Sequence, residues 1–464
     1  MNAPVSGAAT RGRTGGAPPA SPFRLRSGAW FVLFILWFVY VLNFLDRQLL
    51  SILAKPIQDS LGITDGQLGK IGGLYFAVFY CFISIPVGWL ADRTNRSRVV
   101  AFACALWSGA TVACGLATNY PQLVAARMSV GVGEAGGVPP SYAIISDYFP
   151  ARWRGTAFGL YNLGPPVGQA LGVAFGASIA AAYSWRDAFI LLGVVGIVTA
   201  AVVFFTVREP ERGGLDVAEV SSEVPPEIRA EIIAEKPARE NVVRESFWKT
   251  CGMFFTRPVL VLVSLASGAT QFVTYASINF TTLFLMREKG MTLGEVAVWY
   301  ALLVGIAVSA GIFISGRLID VFVPKARSAY AWIPAIALLL AIPPFVGFVH
   351  APAWPVAMLF LIGPTFLNYF YLSPAVALVQ AEVRPAQRVL SGALLLLVMN
   401  LIGLGLGPTY LGAASDWFRA VSPQHSLQLA FYTLVPFYVL AAVLYFVLAG
   451  VLKREETRLN RGVS

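Results

Sequence analysis

A bilayer's hydrocarbon core is about 30 Å thick and takes roughly 20 apolar residues to cross as a helix. The sequence offers twelve runs of that kind, each bounded by charged or turn-forming residues. The first six are expected at 29–50, 68–91, 99–118, 122–148, 154–182 and 188–207. The second six are expected at 258–285, 295–316, 328–349, 353–381, 389–414 and 427–452. They are numbered helix 1 to helix 12 in chain order. Hydrophobic residues make up 57% of the 464 and charged residues only 12%, more apolar surface than a water-soluble fold of this size can hide. The predicted fold class is an all-α membrane protein of twelve transmembrane helices.

Between the two sets lies a polar stretch at 208–256, rich in Glu, Arg and Pro. The expected organisation is a disordered tail over 1–27, a six-helix half over 28–207, the linker 208–256, a second six-helix half over 257–452 and a short tail over 453–464. Two such halves suggest an internal repeat with the substrate site between them near the midplane. Lys and Arg are retained in cytoplasmic loops. The Arg11 to Arg26 tail, Arg93, Arg96, Arg98, Arg152, Arg154, the linker, Lys325, Arg327, Arg384, Arg388 and the tail from Lys453 therefore place both termini inside. The chain is expected to be a multi-pass membrane protein, of the inner membrane if bacterial. Its net charge of +10 is accounted for by these loops beside anionic lipid, so the bilayer is the expected partner and nucleic acid is not.

Residues 1–27 lack the apolar centre of a secretory signal. Cys81, Cys104 and Cys114 fall within helices and Cys251 in the linker, so no disulfide is expected. There is no metal-ligand cluster, phosphate loop or Ser, His and Asp arrangement. The chain thus reads as a non-enzyme without a cofactor, and any transport would run on a gradient. In the linker, Phe247, Cys251, Phe254 and Phe255 share a helical face, expected along the inner membrane surface.

Three segments carry a family resemblance. After helix 2 stands Gly88-Trp89-Leu90-Ala91-Asp92-Arg93, followed by Asn95, Arg96 and Arg98, with a degraded copy at Gly316-Arg317-Leu318-Ile319-Asp320. Helix 4 holds Arg127, Gly131, Gly133 and Glu134, and helix 5 holds Gly164-Pro165-Pro166-Val167-Gly168. Together these resemble the signature loop, intramembrane Arg motif and antiporter motif of the major facilitator superfamily, although Gln169 stands where the last usually has a second Gly. Asn43-Phe44-Leu45-Asp46-Arg47, the Gly88 loop, Arg127 through Ala135, and Val207-Arg208-Glu209-Pro210 with Arg212-Gly213 more narrowly resemble the lipid-linked Spinster family over roughly the first 215 residues. The second half resembles only the superfamily architecture. Organic-anion symporters share the Asp-Arg of helix 1 and the Arg and Glu of helix 4. The resemblance implies an alternating-access transporter in which Gly88, Asp92, Arg93, Arg96 and Asp147 form a gate on the cytoplasmic side.

Four charged residues lie deep in the spans: Asp46, Arg47, Arg127 and Glu134. A charge at a helix centre costs about 2.5–3.5 kcal/mol on insertion scales, so it faces a partner or a wet cavity. Arg127 and Glu134 are two turns apart on one face, about 10 Å along the axis, too far for a tight pair. Adjacent Asp46 and Arg47 point about 100° apart, so cross-pairing between helices 1 and 4 is the natural arrangement. One reading is a salt-bridge network that only holds the half together. The other makes Asp46 and Glu134 proton-responsive, because burial disfavours a bare carboxylate and a guanidinium favours it. Arg47 and Arg127 then hold carboxylates or an anionic head group. The second half has no ionisable residue in mid-span. Its candidate binding residues are Gln271, Tyr275, Phe366, Tyr369 and Tyr371, joined by Asn43 of helix 1. A charged half facing an aromatic, weakly polar half suits an anionic amphiphile such as a lysophospholipid or sphingoid phosphate, driven by protons or another coupling ion. The alternatives are a proton-coupled symporter of small organic anions and a non-transporting receptor or passive lipid scramblase.

Overall fold

The computed structural model describes residues 28–91, 93–210, 247–384 and 387–461. The tail 1–27, most of the linker, and Asp92 lie outside the described residues. Every regular element described is a helix, as hydrocarbon demands of a backbone that must bond to itself. Among the described residues, eleven helices are long and apolar enough to cross a membrane. Helix 4 completes the expected set in two pieces, Tyr120–Glu134 and Val138–Tyr148. The continuous span expected at 122–148 is interrupted because Gly136 and Gly137 are poor helix formers and Pro139 and Pro140 favour a fresh helical start. The break follows Glu134 directly.

Other helices are interrupted as well. Helix 2 is divided at Gly73 into Asp65–Gly72 and Leu74–Ala91. Helix 10 tightens to a 3-10 turn over Asn368–Tyr371 after Pro364, and helix 11 widens to a π segment over Leu401–Leu406. Irregular backbone survives at membrane depth where protein buries it or a cavity adjoins it. The break at Gly73 faces the other half, where an added Cβ would stand 2.7 Å from the Gly405 carbonyl oxygen, whereas Gly136 and Gly137 meet Ala103 and Trp107 of their own half.

The halves meet mainly at the end opposite the basic loops. There helix 2 packs on helix 11, helix 1 on helix 7 and the Gly164–Ala182 segment of helix 5 on helix 8, while Val138–Tyr148 of helix 4 and Ala151–Tyr161 of helix 5 pack mainly within their own half. A seam of glycines allows the approach: a Cβ added at Gly69 would stand 2.3 Å from the Pro408 carbonyl oxygen, and one at Gly412 would stand 2.3 Å from that of Asp65. Asp65, fully buried, takes both η nitrogens of Arg287 at 3.0 and 2.8 Å and Nη2 of Arg419 at 2.9 Å. Asp416 returns the bond by accepting from the backbone N–H groups of Asp65 and Gly66 at 3.1 and 2.8 Å. The molecule is therefore sealed at this end.

At the basic end the two halves carry matching braces. Arg96, opening helix 3, pairs with Asp147 at the end of helix 4 and with Glu209 after helix 6, each at 2.7 Å. Arg327, before helix 9, pairs with Glu382 at the end of helix 10 and lies 3.8 Å from Glu455 on helix 12. The internal repeat thus extends to the chemistry of the loops. The short helix Phe247–Thr256 also differs from its expected face: Phe254 and Thr250 are buried, while Phe247, Trp248 and Phe255 are exposed.

Gly69→Val should insert side chain where only a carbonyl now fits and part the sealed end without unfolding either half. Spin-label distances between the start of helix 2 and the end of helix 11 are expected to lengthen. Unchanged distances would show that the seam does not depend on close approach at Gly69.

Candidate functional site

Helix 1 presents Asp46 and Arg47 in different directions, and helix 4 answers both. Arg47 Nε donates to Glu134 Oε2 at 2.7 Å, and Arg127 Nη1 donates to Asp46 Oδ2 at 3.0 Å. Thr111 Oγ1 of helix 3 donates to the other Asp46 oxygen at 2.8 Å. The two pairs differ in access. Asp46 and Arg127 have side-chain exposures of 2% each, and Glu134 has 0%, while Arg47 retains 13%. Arg47 is the member that reaches open space.

Aromatic faces surround that guanidinium. Its carbon lies 5.0 Å from the Phe44 ring centroid, 5.1 Å from Phe76 and 4.8 Å from Tyr80, and Arg127 lies 5.5 Å from Phe76. Ring quadrupoles offset part of the cost of keeping a cation away from water. Both arginines line a narrow cavity between the halves with Phe44, Phe76, Tyr275 and Tyr369. Pairing in it is incomplete: Glu134 Oε1 and Arg127 Nε are buried without a hydrogen-bond partner among the described residues. A carboxylate holding one bond where it can take several can accept a proton or a new donor.

The remaining candidates are distributed unevenly. Tyr275 and Tyr369 border the cavity. Phe366 lines a separate apolar groove on the outside, between helices 8 and 10, with Trp299 and Met358. Asn43, Gln271 and Tyr371 are buried and line none of these cavities. Of the expected gate, Arg96 and Asp147 meet within the first half, Arg93 stacks 4.0 Å from the Trp89 ring, and a Cβ at Gly88 would meet open space.

Two groups of residues went unselected in the sequence. Gln169 lines the cavity and accepts from Tyr369 Oη at 3.3 Å, joining the halves. Its signal was present as the departure from the glycine pattern of helix 5. Asp65, Arg287, Asp416 and Arg419 form the seal, and charges on the sparsely charged side opposite the basic loops were the available hint.

The family profile of the Major Facilitator Superfamily matches residues 36–408, and the chain belongs to that superfamily. An MFS-type efflux pump of Mycolicibacterium smegmatis is 29% identical over 388 residues, covering 84% of this chain and 85% of the relative. The D-galactonate transporter of Escherichia coli O6:H1 is 27% identical over 310 residues, covering 67% and 70%. A crystal structure of a bacterial homologue of the human lysosomal transporter Spinster, inward-facing and unoccupied, superposes with a TM-score of 0.79 at 28% identity, covering 95% of this chain and 99% of that one. The chain is thus an integral, multi-pass membrane transporter that resembles Spinster.

Removing one partner of a buried pair leaves an uncompensated charge and costs about 3–5 kcal/mol, whereas replacing both by apolar groups is often neutral. Arg127→Met is therefore expected to lower the unfolding temperature in detergent sharply, and Asp46→Leu added to it should restore most of the loss. A double variant as unstable as the single one would show that the pair contributes more than mutual neutralisation.

Proposed function

We propose that this chain is a gradient-driven, proton-coupled, alternating-access transporter of an anionic amphiphile such as a lysophospholipid or sphingoid phosphate. The observation that carries this reading is the position of Arg47, paired with a fully buried Glu134 yet partly accessible at the edge of an aromatic-walled cavity. Glu134 and a substrate anion compete for one guanidinium. A proton on Glu134 releases Arg47, so proton and anion load together. The ring faces of Phe44, Phe76 and Tyr275, with Ile278 and Leu404 beside them, favour a substrate with an apolar part. The likeness to Spinster supports the same reading.

A second reading, a small organic anion, is supported by Gln48, Gln169 and Asn279 in the same lining and by the likeness to the D-galactonate transporter. Competition separates the two: lysolipids and not sugar acids should displace substrate under the first. Collapse of accumulation by an uncoupler opposes a passive scramblase or a receptor on this scaffold.

In the conformation described, sealed opposite the basic loops, Glu134 is paired. Protonation removes that pairing, so acid should favour the alternative conformation, since a ligand shifts an equilibrium only by unequal affinity for its states. Between about pH 8 and pH 5, spin-label distances across the basic end are expected to shorten in the wild type. In Glu134→Gln, which mimics the protonated form, they should stay constant while substrate binding persists. A mutant with the wild-type pH response would remove Glu134 from coupling.

A further inference from the structure

A second cavity adjoins the charged one. Gln48, Gln169, Ile278 and Tyr369 border both, and the bond from Tyr369 Oη to Gln169 Oε1 crosses between the halves. These residues form a partition that a ligand can part without breaking an ion pair. Past it the chemistry of the walls changes. Arg47 and Arg127 line only the first cavity. The second is walled by Ser277 and Thr281 of helix 7, Tyr300 of helix 8, and Thr365 and Asn368 of helix 10, and none of its lining residues is an acid, lysine, arginine or histidine.

Two of its polar groups have no partner among the described residues: Ser277 Oγ and Asn368 Oδ1 are both buried without a hydrogen bond. Asn368, 4% exposed, is oriented by donation from Nδ2 to Tyr438 Oη at 2.9 Å, which fixes where Oδ1 points. Buried polar groups are as a rule satisfied, so bare ones at a cavity wall mark the place of an absent donor or acceptor. A neutral wall cannot compensate the desolvation of an ion. An alkyl chain would leave both groups bare. A hydroxyl satisfies an oxygen acceptor and a hydroxyl at once, because it both donates and accepts.

We infer that this chamber is a subsite for a hydroxyl-bearing carbon segment of the substrate, adjoining the anionic group held at Arg47. The inference rests on the anion reading above. Its chemistry is shared by the polar backbone beside a lipid phosphate and by the carbon chain of a hydroxylated acid. The chamber sets specificity for the neutral part, and the arginines set it for the charge.

The test uses the full-length purified chain and two matched probe pairs, measured by titration calorimetry. One pair is 1-oleoyl lysophosphatidate and its 2-deoxy analogue, and the other is gluconate and hexanoate, the same carbon chain with and without hydroxyls. In one pair the hydroxylated member is expected to bind about tenfold or more tightly, because a site built to bond a hydroxyl rejects the analogue lacking it. That pair identifies the source. Ser277→Ala and Thr365→Val, small changes that spare the Asn368 bond, should each reduce the ratio to about threefold or less without weakening the deoxy member. Arg47→Gln combined with Glu134→Gln, which leaves no buried charge unpaired, should abolish binding of both members. Equal affinities within the binding pair, or a preference unmoved by both chamber variants, would show that water alone fills the chamber and overturn the inference. The anion reading survives that result if the double variant still loses binding. Binding of no probe, or binding indifferent to the double variant, overturns the anion reading and the inference with it.

Discussion

Two carboxylates and two guanidinium groups sit at a depth where each alone would be costly, and the first half of the molecule is arranged around pairing them. The separation of Arg127 from Glu134 along helix 4 forbids their direct union. Each therefore reaches helix 1, and the crossing of Arg47 with Glu134 and Arg127 with Asp46 fixes the register of the two helices. Apolar residues could hold two helices together at lower desolvation cost. The two pairs are nevertheless unequal. Asp46 is closed on Arg127 and Thr111, while Glu134 keeps one oxygen bare and its partner faces the cavity.

The seal at the far end uses charge differently. Asp65 belongs to one half and Arg287 and Arg419 to the other, so these bonds exist only while the halves are closed there. The Asp46–Arg127 pair joins helices of the same half and can persist through a rocking motion, whereas the seal must open in it. The glycine contacts at Gly69 and Gly412 give the closed state its close packing, and the ion pairs add a set of bonds that water can replace. A closure built of exchangeable bonds is suited to being undone once per cycle, because the free-energy gap between two arrangements has to stay small for a ligand to reverse it.

The helices were legible because hydrocarbon leaves the backbone little choice, and the spans needed only small changes at their ends, as where helix 7 continues to Lys289 rather than stopping near 285. The interruption after Glu134 was also written in Gly136, Gly137, Pro139 and Pro140, but an unbroken apolar run masked it. Charges in mid-span announced themselves by their cost, and helical spacing then gave their cross-pairing. Aromatic candidates could not be sorted in the same way. From Phe366 to Tyr371 nearly every side chain is large, and the 3-10 turn at Asn368–Tyr371 changes the angle between successive residues. Tyr369 therefore meets the cavity, Phe366 the outer groove and Tyr371 the interior. The seal was hidden for another reason: Asp65, Arg287 and Arg419 lie near span ends, where charge carries no penalty and pairing is decided by tertiary structure.

The division between the halves has a consequence for selectivity. A guanidinium attracts any anion that reaches it, so on the proposed reading Arg47 and Arg127 by themselves would separate substrates by charge and say little about the carbon attached. The walls supplied by helices 7, 8 and 10 have the opposite property, since hydroxyl and amide groups without charge respond to the presence and placement of hydroxyls. On the reading proposed above, joining the two across the Gln169–Tyr369 contact would place charge recognition in the half that holds the Arg47–Glu134 pair and recognition of shape and polarity in the other. Binding would then require both halves to touch one molecule, and a ligand that bridged them would draw them together about itself. An anion lacking the neutral segment would occupy Arg47 without spanning the partition and would supply less of the differential binding that closure needs.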